Sequence, residues 1–245
     1  MEYEFAKLYH QSSKDHSKGH VPISLDPGEW PDEWRTTYYK AYPRLPKIIL
    51  EDAVFSADLA KTIKNRHSSR DFHLKPLILT EISTILRYSC GNIGSMGNGR
   101  QRRAQPSGGA RFPIEVYPLI VCSSEESRAG LYHYNVKDHA LDLLWRYEFT
   151  ASELDNLFTY SWVKNVSMIV VMTAVFARTQ NKYGERGYRY AMIEAGHIGQ
   201  NIYLVAESLN MKCCALGVPR ENIIHPLLRI DGEEEIVFYA VAIGN

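Results

Sequence analysis

The sequence predicts an α+β domain built around one sheet. Three continuous apolar stretches, "IEVYPLIVC", "SMIVVMTAVF" and "EIVFYAVAI", read as buried strands. Two longer stretches, "LTEISTILRYSC" and "YAMIEAGHIGQNIYLVAESL", repeat apolar residues at helical spacing. Strands and helices alternate without strict βαβ order and without internal repeats, which favours α+β over a doubly wound sheet.

Taken in order, residues 1–50 form an irregular extension. Pro22, Pro27, Pro31, Pro43 and Pro46 interrupt it, and Trp30, Trp34 and Tyr38 are its expected anchors on a domain spanning 51–245. "SADLAKTIKNR" starts a helix behind Ser56, with Leu59 and Ile63 four apart. The next helix places Ile82, Ile85 and Leu86 on one face, between a Thr80 cap and a Gly91 stop. Gly91 to Ala110 is a long basic, Gly-rich loop, a type that is usually functional. "GLYHYNVKDHALDLL" gives two strands about an Asn135–Asp138 turn, and "TASELDNLFTYSW" a helix capped at Thr150 or Ser152. "MKCCAL", the short helix "ENIIHPLLRI" and the last strand complete the chain.

The 245 residues are 45% hydrophobic, enough for one sizeable core, so one domain with an extension is expected. Basic and acidic side chains balance at 28 each, so no overall field draws the chain to nucleic acid or an anionic membrane. Cys90, Cys122, Cys213 and Cys214 form no C-x-x-C pair and read as small apolar fillers in a reducing compartment. The start lacks a signal-peptide h-region and no apolar run approaches ~18 residues, which points to a cytoplasmic protein without a membrane span. No H-E-x-x-H or Cys/His set suggests a metal, and neither a Rossmann nor a P-loop glycine motif is present.

Four segments could carry chemistry. "RHSSRDF" sets Arg66, His67, Ser68 and Arg70 at a helix end, where guanidinium forks and hydroxyls suit an anion. Its plainer reading is a solvated helix C-terminus. "QPSGGARFP" offers Pro106, Ser107, Gly108, Gly109 and Arg111, whose glycines admit a flat ligand near the backbone; otherwise it is a loop before a strand. "QNKYGERGYRY" places Lys182 and Tyr183 after a core strand. Burial and nearby Arg186 or Arg189 would lower the Lys182 pKa toward neutrality and favour tyrosinate, or the segment is a polar helix-entry loop. In "AGHIGQ", Gly196 and Gly199 allow close packing and His197 reads as a satisfied core histidine.

In this order, "RHSSRDF", "PSGGARFPIEVY", "GLYHYNVKDHAL", "EAGHIGQNIYLVAESL" and "CCALG" resemble the FMN-dependent nitroreductase superfamily over residues 56–244. Within it they are similar to the SagB-type azoline dehydrogenases, and "KLYHQSSK" resembles the N-terminal stretch of such proteins. The resemblance implies a nitroreductase-like fold, a mostly antiparallel sheet flanked by helices, in an intertwined homodimer with FMN at the interface. Arg66, His67, Ser68 and Arg70 would hold FMN, with Pro106, Ser107, Gly108, Gly109 and Arg111 approaching the flavin of the other subunit, and Leu216 and Gly217 facing the ring. Lys182 and Tyr183 match the Lys-Tyr pair that such dehydrogenases place beside the flavin. The implied reaction oxidises a peptide-derived or carrier-bound azoline to the azole, hydride passing to FMN and a proton to the Lys-Tyr pair, with a cyclase or synthetase as partner. An NAD(P)H-dependent nitroreductase or quinone reductase and an inactive peptide-binding accessory protein are the alternatives. The chain stops at "AIGN" where many nitroreductases carry a basic segment, so Arg66, with Arg229 or another cation, is left to meet the phosphate.

Overall fold

The computed structural model describes residues 4–14, 24, 26–52, 55–95 and 101–245. Pro22, with the rest of 1–3, 15–23 and 25, lies outside them, as do 53–54 and the 96–100 part of the glycine-rich stretch. The extension is not irregular throughout. It contains helices α1 (Glu4–Ser12) and α2 (Asp32–Arg35), and β1 (Lys47–Ile49) enters the main sheet beside a later strand.

Helix α3 (Leu59–Asn65) starts two residues later than expected. Asp58, not Ser56, accepts the Lys61 N–H, satisfying a donor that the first turn leaves open. Helix α4 (Leu79–Cys90) is entered at Ile78, whose N–H is taken by Glu81; Thr80 instead lies inside the helix. The stretch expected as a loop contains a hairpin of β2 (Asn92–Ser95) and β3 (Gln101–Arg103), paired antiparallel.

Strands β4 (Ile114–Ile120), β5 (Gly130–Asn135) and β6 (Ala140–Arg146) form a meander, followed by α5 (Ala151–Phe158). Thr150 caps α5 reciprocally with Glu153. Strand β7 (Met168–Val175) leads into α6 (Ala177–Tyr183) and the long α7 (Arg186–Ser208); β8 (Lys212–Gly217), α8 (Glu221–Leu228) and β9 (Glu235–Gly244) follow. The sheet order is β1-β6-β5-β4-β7-β9-β8, and every neighbouring pair is antiparallel.

Helices cover both faces of this sheet, which explains the unbroken apolar run of β7. Val170 and Met172 join the core under α4 and α7 with Ile82, Ile85, Ile198 and Ile202. Ile169 and Val171 join the opposite core with Leu154 and Leu157 of α5 and Ile224 of α8. Each such side chain contributes roughly 1.5–3 kcal/mol by leaving water. On α7 the buried stripe is Ala191, Ala195, Ile198, Ile202 and Val205. Met192 and His197 lie outside it and are exposed, so His197 is not a core histidine. Gly199 does admit close packing, because a Cβ there would stand 2.6 Å from the Tyr239 ring, whereas Gly196 faces open space.

Candidate active site

The first anion segment lies along the free edge of β8. After α3 ends, the Ser69 N–H donates to the Cys213 carbonyl at 3.0 Å, which brings the turn alongside the strand. Arg66 stands over the Tyr203 ring at 5.3 Å, and Ser68 Oγ is 3.0 Å from the Tyr203 hydroxyl. That hydroxyl accepts the Ala215 N–H at 2.7 Å, so Tyr203 of α7 ties the turn to β8. Burial pushes the Cys213 and Cys214 thiols up, and the charges of Arg66 and Arg70 oppose it at the two positions respectively. Both guanidiniums therefore flank β8. His67 is exposed and turns its Nδ1 to the Asn65 carbonyl at 3.0 Å, away from this cluster.

The Leu216–Gly217 pair divides. Leu216 is buried in the core shared with α5 and α8, so its side chain does not present an open face. Gly217 is exposed at φ 72°, on a bulge opposite Ala240, with open space where a side chain would stand. Beside it opens a cavity of about 480 Å³ lined by Tyr188, Met192, Gly196, Val218, Phe238 and Tyr239.

The second and third segments meet at the β4–β7 end of the sheet. Gly109 is left-handed at φ 61°. A Cβ there would fall 2.6 Å from the Tyr183 hydroxyl and 3.2 Å from Lys182 Nζ, so only glycine leaves room for the pair. Gly108 packs on Tyr190 and Tyr183, whose rings meet edge to face at 4.9 Å. Ser107 Oγ accepts the Phe112 N–H at 2.8 Å and shapes the loop, while Pro106 is exposed. Arg111 is not offered to an anion. It is buried, and its guanidinium donates to the carbonyls of Arg178, Trp34 and Thr36.

The Lys182 segment is helical where a loop was expected. Arg178, Thr179 and Lys182 form the buried face of α6, and Lys182 is only 8% exposed. Four residues before it, Arg178 pairs with the buried Glu115 at 2.6 Å and donates to the Phe112 carbonyl at 3.0 Å. Burial pushes the Glu115 carboxyl up, but Arg178 and His133 overcome this and hold it at about 2. The anticipated cation neighbours of Lys182 lie elsewhere. Arg186 is exposed, and Arg189 binds Ser13 Oγ and the His10 carbonyl of the extension. Tyr183 is not biased to tyrosinate either, since burial and then Tyr190 raise its pKa against a smaller effect of Arg111.

One buried acid near this group escaped sequence reasoning. Glu194 is 2% exposed on α7 and accepts from Gln105 Nε2 at 3.1 Å. Burial pushes its carboxyl up to about 7, against hydrogen bonds from Ser107 and Gln105 and the charges of Arg103 and Arg178. Its signal was an acid set in the apolar stripe of a helix, between Ala191 and Ile198.

Helix α7 spans both groups: Tyr190 touches the Lys182–Tyr183 end and Tyr203 the Arg66–Ser68 end. Thirteen residues of helix separate these tyrosines by roughly 20 Å. Arg229 belongs to neither group, standing 4.1 Å from the centroid of the Trp145 ring. Among the described residues no cluster of His, Cys, Asp and Glu could hold a metal, and no helix is long and apolar enough to cross a membrane.

Residues 63–245 match the nitroreductase family. MJ1384 of Methanocaldococcus jannaschii, which carries the nitroreductase name, is 31% identical over 194 residues, 77% of this chain and 88% of that protein. The trifolitoxin-processing protein TfxB of Rhizobium leguminosarum bv. trifolii is 32% identical over 166 residues, 63% of this chain and 44% of TfxB. The microcin B17-processing protein McbC of Escherichia coli is 30% identical over 145 residues, 54% of this chain and 50% of McbC. This chain thus spans about half the length of the two processing proteins. Among solved structures, one from Anabaena variabilis assigned as a nitroreductase has a TM-score of 0.71 at 24% identity, covering 97% of this chain and 45% of that one. A chain of the E. coli microcin synthetase McbBCD complex, with truncated pro-MccB17 bound, has a TM-score of 0.62 at 19% identity, covering 99% and 92%. An FMN complex from Exiguobacterium sibiricum has a TM-score of 0.53 at 13% identity, covering 79% and 90%. At these identities the structures establish a shared fold. The chain belongs to the nitroreductase family, and its likeness to TfxB and McbC bears out the resemblance to SagB-type members.

Proposed function

We propose that this protein is an FMN-dependent dehydrogenase, acting as a homodimer, that oxidises a peptide-derived thiazoline or oxazoline to the aromatic azole. The observation that carries the reading is the buried amine–phenol pair, Lys182 and Tyr183, pressed against the left-handed Gly109 of the Pro106–Gly109 loop. Aromatising an azoline removes a ring proton and a hydride, so a reductase acting on electrophiles has less need of such a pair. The microcin and trifolitoxin relatives, both peptide-processing proteins by name, support a peptide substrate, and the McbBCD assembly supports a synthetase partner.

The residues fit FMN in donor chemistry. Arg66, Arg70 and Ser68 suit a phosphate, and Gly217 leaves open space beside the adjoining cavity. Bound FMN would supply the two-electron acceptor for the hydride, with dioxygen as the final oxidant. Lys182, as the neutral amine, would take the ring proton, and the Tyr183 hydroxyl, kept protonated by burial and the neighbouring Tyr190, would stand beside it as a hydrogen-bond donor. The roughly 20 Å between the two groups along α7 suits a site assembled from two chains, one gripping the phosphate and the other presenting the pair. Leu59 and Ile63, on the outer face of α3, are 63% and 55% exposed and give such a partner an apolar surface.

Lys182→Ala is expected to retain FMN, seen in its visible absorbance, and to lose azoline oxidation, seen as the absence of a 2 Da mass decrease per ring in an azoline peptide. Near-normal turnover would remove the base role. A second reading, an NAD(P)H-dependent nitroreductase, is favoured by the broad coverage of MJ1384. It predicts rapid bleaching of the bound flavin by NADH or NADPH without peptide.

A further inference from the structure

Lys182 does not look into open solvent in this chain. Its ammonium lies 3.3 Å from the centroid of the Trp30 ring and 5.2 Å from that of Trp34, both contributed by the extension. The segment carrying these rings, Asp26–Thr36, is clipped to the domain close to the lysine. The Trp34 indole N–H donates to the Asn181 carbonyl at 3.2 Å, and the Asn181 side chain donates to Glu33. Arg111 donates to the carbonyls of Trp34 and Thr36 at 2.8 and 2.9 Å. The residue before Lys182 and the arginine beyond Gly109 therefore both fasten the same strap.

Two physical points follow. Indole faces attract an ammonium through the ring quadrupole but gain little from a neutral amine, so the closed strap favours the state of Lys182 that cannot accept a proton. The strap is also peripheral. Neither of its helical turns, Pro27–Glu29 and Asp32–Arg35, contains a buried residue, and the fastenings above are polar. Elements with few buried apolar contacts open at least cost.

We propose that Trp30 and Trp34 are positioning residues that hold Lys182 on their indole faces as a resting ammonium, and that the Asp26–Thr36 strap must swing away before the amine can meet its substrate. This rests on the reading of Lys182 as the proton acceptor. It adds that the extension, and not only the flavin-binding domain, decides when that acceptor is available.

The test is pulse acetylation of the full chain with N-hydroxysuccinimidyl acetate, quantified lysine by lysine by mass spectrometry. In the wild type Lys182 should react slowly beside the exposed Lys64 and Lys137. The double variant Trp30→Ala, Trp34→Ala should accelerate Lys182 by about thirtyfold, the size of one desolvated cation–π contact, while those reference lysines are unchanged. Two single variants decide the case even if the double variant loosens the fold. Trp30→Phe keeps a π face and should keep Lys182 slow, whereas Trp30→Leu keeps bulk without one and should release it. Equal Lys182 rates in Trp30→Phe, Trp30→Leu and the wild type would overturn the proposal. Because labelling needs no turnover, that failure is separable from retained azoline oxidation in Lys182→Ala, which would overturn the base role instead.

Discussion

The Arg66–Arg70 turn and the end of α6 both set a cation against a tyrosine, Arg66 on Tyr203 and Lys182 beside Tyr183, yet they are held in opposite ways. The first lies on the outer edge of β8, with Arg70 and Ser68 exposed and backbone hydrogen bonds fastening it. The second is sealed by the extension above, by Gly109 at its side and by the Arg178–Glu115 ion pair below. An exposed guanidinium keeps its hydration until a ligand replaces it, so it costs the fold little and remains on offer. A buried amine must be enclosed by the fold itself. On the proposed function, the difference separates a grip that waits for an outside molecule from a reactive group that the chain has already desolvated.

The sharpest way to break this contrast is Arg178→Ala. It leaves the Glu115 carboxylate buried without its closest cation and frees the helix that carries Lys182. A loss of about 3–5 kcal/mol in urea unfolding is expected, the usual consequence of removing one partner of a buried pair. Arg66→Ala, at the open region, should change stability by less than about 1 kcal/mol.

The next effect is a pH dependence seated between the two regions. The folded chain holds the Glu194 proton up to about pH 7, whereas the ordinary carboxyl value is 4.5. The native state therefore binds the extra proton across that window, and stability falls as pH rises from 4.5 toward 7 before levelling off. The whole fall is about 3 kcal/mol. The difference between wild type and Glu194→Gln, measured by urea unfolding at successive pH values, should isolate this slope. Burial and Arg87 lower His139 to about 4, which contributes the opposite slope equally in both proteins. A pH-independent difference would mean that Glu194 titrates normally.

The smallest effect sharpens the open region. If Arg66 grips the FMN phosphate, Arg66→Ala should weaken flavin binding by about ten- to a hundredfold, the range for one hydrogen bond to a charged group. Flavin fluorescence titration measures it, and unchanged affinity would move the phosphate to another cation.

Much of this architecture was legible in residue patterns. The apolar run of β7, Thr150 as one of the two caps offered for α5 and the stripe of α7, Met192 excepted, are local or periodic signals that the structure carries out. Helix starts were less legible, because Ser56 and Asp58 are both competent caps and two residues of slippage cost little. Arg111 misled for another reason. Its sequence neighbours, two glycines and a proline, look like a ligand loop, yet its guanidinium is consumed by carbonyls of the extension and α6, more than sixty residues away in either direction. Glu194 was missed because the apolar residues around it set the helix's buried face, and an acid on that face says nothing of what it would meet.

By itself the sequence determined the kind of fold, the order of its main strands and helices and the residue types at each candidate position, because hydrophobic periodicity and capping are written in neighbours a few places apart. Only the tertiary structure decided which cations remain available and which are spent, that Lys182 and Tyr183 meet Gly109, and that Trp30 covers the amine. Those outcomes depend on contacts between segments dozens of residues apart. Desolvation and charge pairing, which set the chemistry of such groups, exist only once these segments have packed together.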